Sequence, residues 1–417
     1  MYLTHLSLTH YRNYQQLELD FRRPFMLLQG QNAQGKTNLL EAIYFLSTTK
    51  PVQAQHEREV VDWRAQEEPI PYSRIAAEVQ GSGRTLQLEV ILTPRGDGVN
   101  YTKQVKINGV NKRAMDLLGL LPTVLFLPAD VKLVDGSPGE RRRYLDIALC
   151  QIDRNYCRAL AAYQKVVTQR NSLLKTLREQ NARPNAESTE AQLSFWDEKL
   201  VQHGSIVISR RQLFIHQLSL VAQERHAALS DTLEKLQLFY APSFNPGHLT
   251  EAEFSGLQEG LHCPTVAVAA SATLAVETVA HAYHAKLRSR RSRELATGNT
   301  LYGPHRDDLL LVANGHDLRA YGSRGQQRTA ALALKLAELH VSTASTGTAP
   351  ILLLDDVMSE LDARRRSTLL AALAGVEQAV ITTTDWEDFS ADFRQQAQCL
   401  HVQAGHLEPV APFDHGA

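Results

Sequence analysis

The chain has 417 residues, 44 of them Lys or Arg against 45 Asp or Glu, for a formal net charge of −1. A hydrophobic fraction of 43% with 21% charged residues excludes collagen-like, low-complexity and disorder-dominated classes, and the length allows two or three domains at roughly 150 residues each. A neutral total also excludes nucleic-acid binding through overall charge, so any such surface must be a local patch.

In chain order, "YLTHLSLTHY" and "QQLELDF" alternate apolar and polar residues and predict strands, and "PFMLLQ" predicts a buried strand running into glycines. From Thr37, "NLLEAIYFLS" has helical periodicity. Between Ile75 and Ile107, "RIAAEVQ", "LQLEVIL" and "KQVKING" predict antiparallel hairpins turned by "GSG" and "RGDG". The texture changes at "GSPGERRRYLDIALCQ". From Arg141 to about Leu238, apolar residues recur at three- and four-residue spacing, interrupted by the turn "NARPNAEST" (181–189), and a further helix is expected over 266–297. Strands return at "DDLLLVANG", followed by the helix "GQQRTAALALKLAELHV" and the buried strand "PILLLDD". The pattern is α/β with a helical insertion. It places halves of one domain at 1–140 and 299–417, with a helical arm at 141–298. No internal repeat or sustained heptad array is present.

Gly30, Gln31, Asn32, Ala33, Gln34, Gly35, Lys36 and Thr37 fit the phosphate-cradle pattern G-x-x-x-x-G-K-[ST] without mismatch. A chance match in a chain this long is on the order of one in a hundred from average residue frequencies. Glycines let backbone N–H groups close around a phosphate, and the following helix contributes the positive end of its dipole. Lys36 is expected to reach the terminal phosphates and the Thr37 hydroxyl to hold magnesium. "ILLLDD" (351–356) supplies the acidic half: Asp355 for the metal and Asp356 to polarise the attacking water. The nucleotide implied is ATP with Mg2+. The four cysteines, Cys150, Cys157, Cys263 and Cys399, form no C-x-x-C pair and read as reduced thiols. Neither a secretory leader nor a bilayer-length apolar run is visible, so a soluble, cytoplasmic protein without membrane contact is expected.

With these elements assembled, the chain resembles the RecF family, bacterial DNA-repair ATPases of the ABC class related to SMC heads. The matching stretches are "YRNY" at 11–14, the cradle, "LFLPADVKLVDGSPGERRRYLD" at 125–146, "GPHRDD" at 303–308, "GSRGQQRTAALALKLAE" at 322–338, "LLLDDVMSELD" at 352–362 and "ITTTD" at 381–385. The resemblance implies an ABC-type P-loop head, mixed sheet plus antiparallel β lobe, carrying the helical arm. It identifies Ser323, Gly325 and Gln326 with the ABC signature, which would grip the γ-phosphate held by a second copy in an ATP-dependent homodimer. Arg12 and Asn13 match a turn that approaches the phosphates, and Ser359–Asp362 matches the D-loop. Asp356 stands where many ABC ATPases carry glutamate, which predicts slow, switch-like turnover. Thr384 occupies the place of the switch histidine, and Asp130 lies where a Q-loop would be.

Two basic clusters stand out, Arg141-Arg142-Arg143 and Lys286, Arg288, Arg290, Arg291 and Arg293. Charge runs on helices are usually solvated faces. The resemblance implies instead that some of them meet duplex phosphates without reading sequence. It further implies weak, DNA-stimulated ATP hydrolysis, action at gaps and single-strand/double-strand junctions, nucleoid association, and work with RecR and RecO to load RecA. His305, Arg306, Asp307 and Asp308 sit in a Gly-Pro turn before a strand, which argues for a structural or hinge role. The rival readings are an SMC-like structural tether, disfavoured by the short arm without heptads, and a P-loop kinase, disfavoured by the S-x-G-Q helix and the distant acidic strand.

Overall fold

The computed structural model describes residues 1–410 except 53, 55, 69–70, 82, 96–99, 185, 231–233, 248, 260–273 and 374. Ser82 and residues 96–98 of the two expected turns, residues 266–273 of the expected helix, and Cys263 lie outside the described residues. Along the chain come β1 (Tyr2–Tyr11), β2 (Tyr14–Asp20), β3 (Phe25–Gln29), α1 (Lys36–Thr48), β4 (Ser73–Gly81), β5 (Arg84–Pro94), β6 (Tyr101–Ile107), β7 (Val110–Lys112) and β8 (Thr123–Phe126). The helices α2 (Pro138–Ile152), α3 (Arg154–Glu179) and α4 (Glu187–Leu229) follow, then β9 (Leu236–Ala241) and α5 (Val276–Thr297). The chain ends with β10 (Asp308–Ala313), β11 (His316–Asp317), α6 (Arg324–Thr346), β12 (Ile351–Asp355), β13 (Ala379–Thr383), β14 (Gln398–Gln403) and β15 (His406–Pro409).

Two compact units form, one from 1–130 and 338–417, the other from 131–337. The boundaries expected at 141 and 298 therefore shift. Residues 299–337 pack with the helical unit because β10 pairs antiparallel along β9, Leu309 opposite Tyr240 and Leu311 opposite Leu238. That pairing also corrects the helical reading of the stretch up to Leu238: "LQLFYA" alternates burial as a strand should.

In the first unit, β2-β1-β4-β5-β6-β7 form an antiparallel lobe in which β4 and β5 bury alternate residues. The second sheet runs β15-β14-β3-β13-β12-β8, with all neighbours parallel except β15. β12 and β13 are buried at every residue, the signature of a parallel sheet covered on both faces. Helix α1 buries Leu39, Leu40, Ile43, Phe45 and Leu46 in one apolar cluster with Leu6 and Leu8 of the lobe and Leu353 and Val380 of the parallel sheet.

The second unit is built on α3, α4 and α5. A capping box between Ser137 and Glu140, with Pro138 at the first turn, starts α2, and the Asp153 carboxylate caps α3. Its core holds a buried arginine that is fully paired. Arg170, fully buried, donates to Asp197 at 2.8 Å, to Glu294 at 2.6 Å and to the Thr300 hydroxyl at 2.9 Å.

Candidate nucleotide site

Sheet register assembles the site. Thr383 of β13 pairs with Gln29 at the end of β3, and Thr382 pairs with Asp355 at the end of β12. The turn after β3 and the acids at the end of β12 thus lie at the carboxyl ends of the two strands that flank β13, where α/β sheets bind ligands. Three hundred residues of sequence become two strand spacings.

The turn itself is tightly braced. A Cβ on Gly30 would stand 2.4 Å from the Val402 carbonyl oxygen, so no side chain fits. Gly35 has φ +117°, and a Cβ there would meet the Asn13 amide at 2.6 Å. Asn13 Nδ2 donates to the Gln34 carbonyl at 2.9 Å, and its Oδ1 accepts from Asn38 at 2.8 Å. Tyr14 adds a hydroxyl bond to the Gly35 carbonyl at 2.9 Å. From the β14–β15 hairpin, the Gly405 N–H donates to the Gln34 carbonyl (2.9 Å) and the Ala404 N–H to its side-chain oxygen (2.7 Å). Gln31, Asn32 and Ala33 form the exposed crest.

Lys36 is buried, and its Nζ donates to the carbonyls of Gly30 and of Gln31, the latter at 3.2 Å. Burial lowers its pKa, and the charges of Asp356 and Asp355 oppose that. Thr37 Oγ1 lies 2.9 Å from both carboxylate oxygens of Asp355, and Thr382 donates to Oδ1 at 2.9 Å. Burial pushes the Asp355 carboxyl above its usual range despite these two hydroxyls. Asp356 takes a left-handed conformation (φ 48°), its N–H donating to Thr382 Oγ1 at 2.9 Å. Burial raises its pKa too, and its Oδ1 is buried without a hydrogen-bond partner.

These donors fit magnesium. The hydroxyl of Thr37 and the carboxylate of Asp355 are hard oxygen ligands that converge on each other, and magnesium takes one or two carboxylates besides phosphate oxygens and water. Two adjacent acids, Asp355 buried and Asp356 half-buried with an orphaned oxygen, form a site whose charge a cation would relieve.

The RecF/RecN/SMC N terminal domain family matches residues 2–406. Curated relatives called DNA replication and repair protein RecF are 42% identical over 98% of this chain and 99% of the relative in Chloroflexus aurantiacus. The corresponding protein of Roseiflexus castenholzii is 41% identical over 98% of this chain and all of its own length. The chain belongs to the RecF family. A solved structure of the recombination mediator protein RecF-ATPrS in the RecFOR pathway superposes with TM-score 0.81 at 32% identity, covering 98% of both chains. The Smc head domain of Pyrococcus furiosus, at 16% identity and TM-score 0.51 over 98% of this chain and 96% of its own, shares the fold alone.

The fold expected of an ABC-type head with a helical insertion is thus the RecF fold. In this RecF-family chain the other sequence candidates divide sharply. Ser323 and Gln326 form a capping box at the start of α6: the Gln326 N–H donates to Ser323 Oγ (3.2 Å), and the Ser323 N–H to Gln326 Oε1 (2.7 Å). Ser323, Arg324 and Gly325 are exposed, and Gln326 Nε2 donates to Glu234 at 2.7 Å. Arg12 turns its guanidinium to the Glu41 carboxylate (2.8 Å) and the Glu59 carbonyl (3.0 Å).

Arg141 is not on the surface. It is 2% exposed and forks onto Asp308 at 2.7 and 2.8 Å, with a further bond to the Gly136 carbonyl at 2.8 Å. Arg142 donates to the Asp307 carbonyl at 2.8 Å, while Arg143 is exposed. On α5, Arg291 is spent on Asp197 (2.9 Å) and Glu190 (3.4 Å), and Lys286 lies over the Tyr302 ring at 4.6 Å. Arg288, Arg290 and Arg293 are exposed, Arg288 reaching Glu190 only at 3.8 Å. The "GPHRDD" turn is architecture: His305 bonds Tyr163 and the Thr300 carbonyl, and Asp307 bonds Tyr240 and the Ser243 N–H.

Tyr14 and Thr382 lie within "YRNY" and "ITTTD" but, like Glu41, have no role that the sequence pattern assigns. Asp130 accepts from the Leu127 N–H at 2.8 Å, a local turn bond. The Thr384 carbonyl accepts from Gln29 Nε2 at 3.0 Å.

Proposed function

We propose that the chain is an ATP-driven switch that dimerises on ATP and holds duplex DNA at gaps and single-strand/double-strand junctions, and that slow hydrolysis releases it. The observation carrying this reading is the convergence of Lys36, Thr37, Asp355 and Asp356 at one end of the parallel sheet. RecF relatives named for DNA replication and repair, and a RecF structure named for ATPrS, support it.

Lys36 and the cradle would bind the phosphates, and Thr37 with Asp355 would hold magnesium, which neutralises charge on the leaving phosphate. Asp356 Oδ1 accepts a hydrogen bond from the attacking water and orients it. An aspartate reaches less far than a glutamate, which makes this step slow. Ser323 and Gly325, exposed at a helix start, offer an anion site to the nucleotide of a second copy, an isologous two-fold pairing. Arg290 and Arg293 share a face of α5 with Lys286 and supply a sequence-blind phosphate contact. Partnership with RecR and RecO in loading RecA, DNA stimulation of the ATPase and nucleoid association belong to the same proposal. The longest helix has 43 residues, about 65 Å at 1.5 Å per residue, which makes a short arm and favours a clamp over a tether.

The test is oligomeric state. Asp356→Asn should accumulate as an ATP-dependent dimer in analytical ultracentrifugation, with Lys36→Met and Ser323→Arg each remaining monomeric. Dimerisation indifferent to ATP, or to both substitutions, refutes the switch.

A further inference from the structure

We propose that Glu41 is a positioning residue of the nucleotide site: through Arg12 it holds the Tyr11–Tyr14 turn against the phosphate cradle. The proposal rests on the nucleotide reading of that cradle.

Glu41 lies one helical turn beyond Thr37, so the two side chains share a face of α1. Thr37 grips Asp355. Glu41 grips Arg12 at 2.8 Å, with its own side chain 3% exposed and that of Arg12 22% exposed. Such a carboxylate is expensive to bury, and burial does push its pKa up, opposed first by the Arg12 charge. The negative charge of Asp355 adds to the upward push.

Arg12 needs holding. It has a left-handed φ of 55°, which costs a non-glycine residue conformational energy, and the surroundings must over-determine it. Its N–H donates to the Val60 carbonyl at 2.8 Å, one guanidinium nitrogen to the Glu59 carbonyl at 3.0 Å, and the other to Glu41. The first two bonds fasten Arg12 to the 57–60 segment. Glu41 alone of the three acceptors stands on the cradle helix. The residues that follow Arg12 are those that brace the cradle: Asn13 onto Gln34 and Asn38, and Tyr14 onto Gly35. The ion pair thus ties the brace to the helix whose first turn carries Lys36 and Thr37.

A thermodynamic cycle on the full-length protein tests this, with Mg-ATP affinity measured by calorimetry for the parent, Glu41→Gln, Arg12→Ala and the double variant. Gln keeps the shape and an acceptor oxygen but removes the charge. Glu41→Gln should weaken ATP binding about tenfold, the scale on which supporting residues act. In the Arg12→Ala background it should weaken binding no further. Unchanged or tighter binding by Glu41→Gln, or an equal loss in both backgrounds, overturns the proposal. If Glu41→Gln does not fold, Arg12→Lys, which keeps charge but loses the fork, takes its place: reduced affinity supports the positioning role and parental affinity overturns it. Lys36→Ala separates the two levels of argument. If it binds ATP as the parent does, the nucleotide reading fails, whatever Glu41 does.

Discussion

His305 offers a perturbation whose size follows from the structure. Its Nε2 lies 3.0 Å from the Thr300 carbonyl, which can only accept, so Nε2 carries the proton and Nδ1 accepts from the Tyr163 hydroxyl at 2.6 Å. A second proton on the ring would confront that hydroxyl in a buried setting, with Arg306, Arg142 and Arg170 also repelling it. Burial is the largest cause, and the pKa falls from 6.5 to about 4. The unfolded chain takes up this proton as pH drops through 6.5, and the folded one does not until about 4. The stability His305 contributes is therefore present above pH 6.5 and lost as pH falls toward 4. The loss is about 2 kcal/mol at pH 5 and about 3 kcal/mol in full. His305→Gln, which cannot titrate, should remove that part of the pH dependence from urea midpoints measured between pH 7 and 5. Proton NMR of the parent should show one imidazole, absent in the variant, that does not titrate above pH 5. A His305 resonance titrating near 6.5, or a variant with the parent's pH slope, refutes the reasoning.

Arg141→Ala should lower stability by about 3–5 kcal/mol by stranding Asp308, and should leave the salt dependence of duplex binding unchanged in whatever protein folds. Arg290→Ala with Arg293→Ala should do the reverse: the melting temperature stays at the parent value, while the slope of log K against log salt becomes shallower by about 2. Thr37→Val keeps the side-chain shape but removes the hydroxyl that meets Asp355. Titration calorimetry should find ATP affinity no longer raised by magnesium, and retention of that increase removes Thr37 from the metal shell.

What was legible in the sequence was chemistry confined to a few consecutive residues. The cradle announces itself because glycine, lysine and threonine must stand at fixed offsets. Asp355 and Asp356 do so because a fully apolar strand that ends in two acids has a buried reason to end there. What stayed hidden depends on partners brought from far along the chain. Arg141 stands with Arg142 and Arg143 as a candidate for duplex phosphates, and nothing local reveals that Asp308, 167 residues away, holds it in the interior. Arg291 went unrecognised as a structural residue for the same reason, with Asp197 lying 94 residues before it. The helical texture expected up to about Leu238 overlaps the first three residues of β9, where pairing along β10 makes the chain extended. Glu41 carries no local mark of its role, and only the fold shows its side chain almost fully enclosed against Arg12.

The strand β13, which carries the first three residues of "ITTTD", explains how such scattered pieces make one site. It lies between β3 and β12, and its threonines serve both neighbours. The Thr383 carbonyl accepts from the Gly30 N–H at 3.3 Å, where the cradle begins. The Thr382 hydroxyl donates to Asp355 and accepts from the Asp356 N–H, so one oxygen orients both acids. A β-branched residue suits this position twice over: it is stiff at χ1, which fixes the hydroxyl, and it packs well in a strand buried on both faces. The cradle and the acids are therefore spaced by a strand of fixed width rather than by the flexible connections between them, and the long helical insertion can lie between the two motifs in sequence without disturbing their geometry.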